Sequence, residues 1–153
     1  MPLKESEIAA RIKEEHERIK GEMKKIRTMT QAHVSREGFA KWRLDLLWLL
    51  RDFKTGLQRH FDLEEEGGFM SEVVRIAPHN LDVVKKLETE HRQMVIDLDG
   101  ILEDLKNLEE KDDLKLDKIR ARVGEFFALI ESHEAEEGDL LESTYLQDEG
   151  MAD

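Results

Sequence analysis

Four histidines and two glutamates recur in a fixed order along this chain. His16 is followed by His60 with Glu64 four residues on, and His91 by His133 with Glu137 four residues on. The order reads His, HxxxE, His, HxxxE, so each half of the chain supplies the same three groups. Imidazole and carboxylate together suit first-row transition metals. Six such groups converging inside one bundle suggest two metal ions rather than one.

In an α-helix, positions i and i+4 share a face about 6 Å apart along the axis. His60 with Glu64 can therefore reach one centre, and His133 with Glu137 can do so from another helix. Four imidazoles and two carboxylates divide as two histidines per metal, with both glutamates bridging. A solvent oxo or hydroxo bridge adds a fifth ligand and leaves an octahedral ion one open position. Open positions on redox-active iron bind small diatomic ligands or peroxide. A structural zinc site closes with four ligands in a tetrahedron. Six ligands with two shared therefore fit paired Fe or Mn ions better, with Zn a possible substitute. His before Glu at i+4 also differs from the Glu-x-x-His of ferritin-like di-iron bundles.

The elements that must position these groups are four long amphipathic helices. The first is predicted from about Ser6 to Gln31, where His16 fills the gap in a stripe of Ile8, Ile12, Ile19, Met23 and Ile26. The second runs from about Arg36 to Glu66, with Ser35 as a candidate N-cap. Its stripe of Phe39, Trp42, Leu46, Leu49, Phe53 and Leu57 leads into His60 and Glu64, and Gly67 and Gly68 end it. Residues 69–79 read as a connector with one helical turn before Pro78. The third helix, from about Asn80 to Leu108, carries His91 among Val84, Leu87, Met94, Leu98, Leu102 and Leu105. The fourth, from about Leu116 to Tyr145, carries His133 and Glu137 among Ile119, Val123, Phe126, Ile130 and Leu140. Four long helices on short links predict an all-α, up-down-up-down four-helix bundle. Residues 1–145 form one domain, and 146–153 read as a disordered tail.

Antiparallel neighbours put residues at one height when they are equidistant from the turn. The midpoint of His16 and His60 is Gly38, in the first link; that of His60 and His91 lies between Arg75 and Ile76, in the connector; that of His91 and His133 is Asp112, in the last link. The four histidines should therefore occupy one layer. HxxxE alone is weak in so acidic a chain: His33 with Glu37 also matches, but straddles the Val34-Ser35 turn. His79, beside Pro78, reads as a loop residue. The bland reading of the four, as ordinary helix histidines satisfied by water or a neighbour, does not explain Glu64 and Glu137. Buried glutamates need partners, and no lysine or arginine shares their layer on the stripes.

Composition bounds the rest. The chain has 153 residues, 39% of them charged and 39% hydrophobic, with two prolines and no cysteine. That excludes disulfides, Cys-ligated clusters and a cysteine nucleophile. No apolar run spans a membrane, and the charged, periodic N-terminus has no secretory h-region, so a cytoplasmic protein is expected. The formal charge of −12 argues against nucleic acid as a partner.

The residues in EEHERI (His16), RHFDLEEE (His60, Glu64), ETEHRQM (His91) and SHEAEEGD (His133, Glu137) resemble the hemerythrin-like, HHE cation-binding domain, over nearly the whole chain. The resemblance implies a four-helix bundle around a carboxylate-bridged non-haem di-iron centre. Oxygen-carrying hemerythrins have a further histidine four past the one on the third helix, where this chain has Val95, and an aspartate five past the last, where it has Gly138. The four-histidine, two-glutamate set is similar to the branch associated with nitric oxide response and repair of iron–sulfur centres. The expected ligands are thus O2, NO or peroxide, bound or sensed. The alternatives are a redox enzyme disproportionating peroxide, an iron donor, and a metal-free helical interaction module.

Secondary features carry open alternatives. Gly56, one turn before His60, either opens a ligand pocket or packs closely against Gly21 on the first helix. Gly100 and Gly124 suggest close approach of the last two helices. Glu15 and Glu90, each just before a ligand histidine, either orient imidazoles or are solvated. Leu44 and Trp48 point away from the ligand stripe as a candidate homodimer surface. Tyr145, roughly 12 Å beyond Glu137, is not nominated as a ligand.

Overall fold

A computed structural model describes residues 2–152, with side chains over 7–145; the tail expected at 146–153 lies beyond the residues whose side chains are described. The chain is an all-α four-helix bundle. Its long helices are α1 (Pro2–Gln31), α2 (Phe39–Glu65), α4 (Leu81–Lys106) and α5 (Asp113–Ala152); a short α3 (Phe69–Ile76) and a 3-10 turn (Pro78–Asn80) join α2 to α4. Helix α1 packs on α2, α2 on α4, α4 on α5, and α5 back on α1, which closes a ring around one core. Among the described residues no helix is long and apolar enough to cross a membrane.

The stripes read from the sequence build two apolar clusters. The larger holds Ile19, Leu46, Leu50, Phe53, Met94, Leu98, Phe126 and Phe127 with their neighbours. Phe53 is its pivot, with edge-on ring contacts to Phe126 and Phe127 at 6.4 and 5.8 Å. Burying a side chain of this size contributes roughly 1.5–3 kcal/mol. The smaller holds Ile12, Phe69, Met70, Val73, Val84, Leu87, Leu140 and Leu141. Every long helix passes from one cluster to the other, and the expected ligands lie at the crossing. His16 falls between Ile12 and Ile19, His91 between Leu87 and Met94, and His133 and Glu137 between Ile130 and Leu140.

Three of the departures from the expected boundaries have a visible cause. Ser35 does not cap α2; its Oγ accepts the Gly38 N–H at 3.0 Å, which tightens a turn, and the helix starts at Phe39 rather than Arg36. Helix α5 starts at Asp113, a turn earlier than expected, because the Asp112 carbonyl accepts the Leu116 N–H at 2.9 Å. The connector is two turns of helix rather than one. Phe69, Met70 and Val73 fall on one face of α3, are all buried, and close the end of the bundle beside Glu64.

The glycine pairs also behave differently. The Arg122 guanidinium lies over Gly100, where a Cβ would stand 2.6 Å from Nη2, and Gly124 has open space. A long side chain, rather than close helix backbones, uses that gap. Leu44 and Trp48 are exposed as the pattern requires, with the Arg51 guanidinium 5.7 Å from the Trp48 ring centre.

The α2–α3 corner needs both its glycines. Gly68 has φ 98°, and a Cβ on Gly67 would stand 2.2 Å from the Leu63 carbonyl oxygen. Gly67→Ala is expected to cost more than about 1 kcal/mol, whereas Gly21→Ala, at an open helical site, should gain up to about 1 kcal/mol. Denaturant unfolding of metal-free protein checks both; equal effects would contradict the clash.

Candidate metal centre

All six predicted ligands meet in one layer. Glu64 and Glu137 are 0% exposed, His60, His91 and His133 2–3%, and His16 9%. Their donor atoms fall into two sets, each within 4.8 Å: His16, His60, Glu64 and Glu137, and then His91, His133, Glu64 and Glu137. The two glutamates belong to both sets, as bridging carboxylates would. Ring centres lie 5.1 Å apart for His16 and His60 and 4.9 Å for His91 and His133.

Contact distances within the layer are those of neighbouring ligands. His60 Nε2 and His91 Nε2 stand 3.3 and 3.2 Å from Glu64 Oε1. His16 Nε2 and His133 Nε2 stand 3.2 and 3.3 Å from Glu137 Oε1. Donors about 2.1 Å from a shared ion lie about 3.0–3.4 Å from one another. Yet the Nε2 atoms of His60, His91 and His133, both oxygens of Glu64 and Oε2 of Glu137 have no hydrogen-bond partner. His16 Nε2 and Glu137 Oε1 are hydrogen-bonded at 3.2 Å; the other pairs are close without hydrogen-bond geometry, as groups directed at a common third partner would be. The buried cluster has the donor set to hold a metal ion.

Electrostatics favour the same use. Burial drops His60 from 6.5 to about 3, helped by His16 and His133, and drops His91 to about 2, helped by His133 and His60. Burial also lowers His133, opposed by its bond to Glu90. These imidazoles are neutral at pH 7, the form that ligates metal. Burial raises Glu137 above the usual carboxylate range, against the pull of His16.

Outside the ligands, a second set of carboxylates orients imidazoles. His133 donates Nδ1–H to Glu90 Oε1 at 2.8 Å, which settles Glu90 as an orienting group. His91 donates to Glu65 Oε2 at 2.7 Å and stacks on Phe61 with centres 4.0 Å apart. Glu15 instead takes Arg18 at 2.7 Å, on the surface. Sequence reasoning missed Glu65 and also Glu134, which is 7% exposed with neither oxygen partnered. Their one signal was adjacency to a ligand, which is common in so acidic a chain.

Gly56 opens neither a pocket nor a backbone contact with Gly21. A Cβ there would stand 2.9 Å from Arg18 Nη1, so the guanidinium fills the gap, while Gly21 has nothing within 4 Å. Tyr145 packs with the smaller apolar cluster.

No protein-family model, curated protein or solved structure matches the chain.

The shifted groups make stability depend on pH in two opposing ways. His60 and His91 take up protons near 6.5 when unfolded but only near 3 and 2 when folded. Metal-free protein therefore loses stability as pH falls below 6.5, by about 2 kcal/mol apiece at pH 5. The raised Glu137 works in reverse: folded protein holds its proton at a pH where unfolded chain does not, so acid favours the fold there. Glu137→Gln removes only the second effect. Unfolding in chelator at pH 7 and pH 5 should show a larger acid loss in the variant; equal losses would contradict this picture.

Proposed function

We propose that this chain is a hemerythrin-like, carboxylate-bridged non-haem di-iron protein that binds or senses a small ligand: O2, NO or peroxide. One observation supports the reading above the others. Two four-donor sets share Glu64 and Glu137 in a dry layer, and most of their ligating atoms have no other partner. His16 and His60 would hold one ion, His91 and His133 the other, with both glutamates across them. Two cations would balance carboxylates whose burial otherwise costs several kcal/mol each. Imidazole and carboxylate without thiolate suit iron or manganese, and the bound pair would supply redox chemistry and open coordination positions.

A redox enzyme acting on peroxide, or an iron donor, would use the same centre. Steady-state peroxide consumption by iron-loaded protein separates the enzyme from the binder.

Elemental analysis with an optical spectrum of aerobically purified protein tests the proposal. About two irons per chain are expected, as in other di-iron bundles, with an oxo-to-iron band toward the near ultraviolet. Glu64→Ala and Glu137→Ala should each lower occupancy. Iron content below one per chain, or unchanged in both variants, sinks the dinuclear reading.

A further inference from the structure

The two ligand pairs are not equally supported. His91 and His133 each have Nδ1 held by a carboxylate from the helix before, Glu65 on α2 and Glu90 on α4. Such bonds fix the tautomer that leaves Nε2 to the metal, raise its basicity, and are typically worth 10–100-fold in metal affinity. Among the described residues, no carboxylate bonds Nδ1 of either imidazole in the other pair. His60 Nδ1 is buried without a partner. Glu15, the acid just before His16, is turned to Arg18.

Access differs in the same sense. His16 is the most exposed of the six ligands. It lines a cavity of about 360 Å³ between α1 and α5, together with Lys13, Glu17, Lys20, Glu131 and Glu134. At its rim the charges are largely paired, Lys20 with Glu17 and Arg27 with Glu131. Inside, Glu134 is not: it is 7% exposed, and both its oxygens lack partners. A larger cavity, about 640 Å³, lies outside His91, between α2 and α4. There the imidazole is pinned between the Phe61 ring and Glu65, and His91 is only 2% exposed.

We propose that the metal position held by His16 and His60 is the exchangeable one, and that Glu134 serves as a transient carboxylate ligand for a divalent cation passing through the α1–α5 cavity. The inference rests on the dinuclear reading. An ion leaving that position meets two imidazoles without carboxylate support and then an unpaired carboxylate on the way to solvent. An ion at the other position meets two imidazoles fixed by carboxylates, with His91 stacked on Phe61 between it and the outer cavity. Release of one ion while the other stays bound is the behaviour an iron donor needs.

Protein loaded anaerobically with two equivalents of ferrous iron and mixed with excess chromogenic ferrous chelator tests this. Release should come in two phases of equal amplitude, separated by roughly tenfold or more in rate. Glu134→Gln should slow the fast phase and leave the slow one. Glu90→Gln should speed the slow phase and leave the fast one. His16→Gln should retain one slowly released ion. A single phase, a fast phase indifferent to Glu134→Gln, or loss of the slow phase in His16→Gln would overturn the assignment. Uptake of one ion or none by the unaltered protein instead fails the dinuclear reading itself, and the assignment with it.

Discussion

Two carboxylates without access to water set the terms for this bundle. Glu64 and Glu137 are fully buried, and their oxygens stand 3.2–3.3 Å from imidazole nitrogens. An ionised carboxylate in such a place costs several kcal/mol unless a cation meets it. The metal-free protein limits that cost by other means. Burial keeps His60 and His91 neutral and raises Glu137 toward its protonated form. Wherever Glu137 holds its proton, binding a cation there displaces it, so metal uptake and proton release are linked.

The polar layer also divides the core in two and makes α3 necessary. Glu64 stands one residue from the end of α2, where an open bundle would admit water. The Gly67-Gly68 corner turns the chain back, so that Phe69, Met70 and Val73 close that end with Ile12, Leu87 and Leu140. A segment that looks like a link therefore keeps the layer dry. Dryness is what makes the imidazoles neutral and the carboxylates in need of a cation.

What the sequence could reveal follows from what repeats. The helices and their stripes were legible because 3.6-residue periodicity survives in the one-dimensional pattern. The meeting of all six ligands was legible because equal distances from turns place residues on adjacent helices at one level. Contacts between helices were not. Glu15 and Glu90 stand at the same offset from a ligand histidine, yet one turns to Arg18 and the other to His133. Which neighbour each faces is decided by the packing, and no local pattern encodes it. Likewise Gly56 and Gly100 are covered by Arg18 and Arg122, long side chains that in sequence look like ordinary surface charge. Ser35 shows the limit of capping rules: its hydroxyl meets a backbone N–H, but in a turn before the helix rather than at its first turn.

The arrangement separates holding the fold from holding the ions. The larger apolar cluster, from Leu46 and Phe53 to Phe126 and Phe127, lies on one side of the layer and the smaller one on the other. Small zinc domains unfold when the metal leaves because the ligands are their core. Here the six groups form a layer between two apolar clusters, joined to the larger one through Phe61, which stacks on His91. In the proposed dinuclear site, a difference in support between the two ligand pairs would become a difference in how long each ion stays. The unsupported pair is the one beside the α1–α5 cavity and the unpaired Glu134. Weak support and an open route coincide at that position, so the asymmetry points outward from the site in one direction.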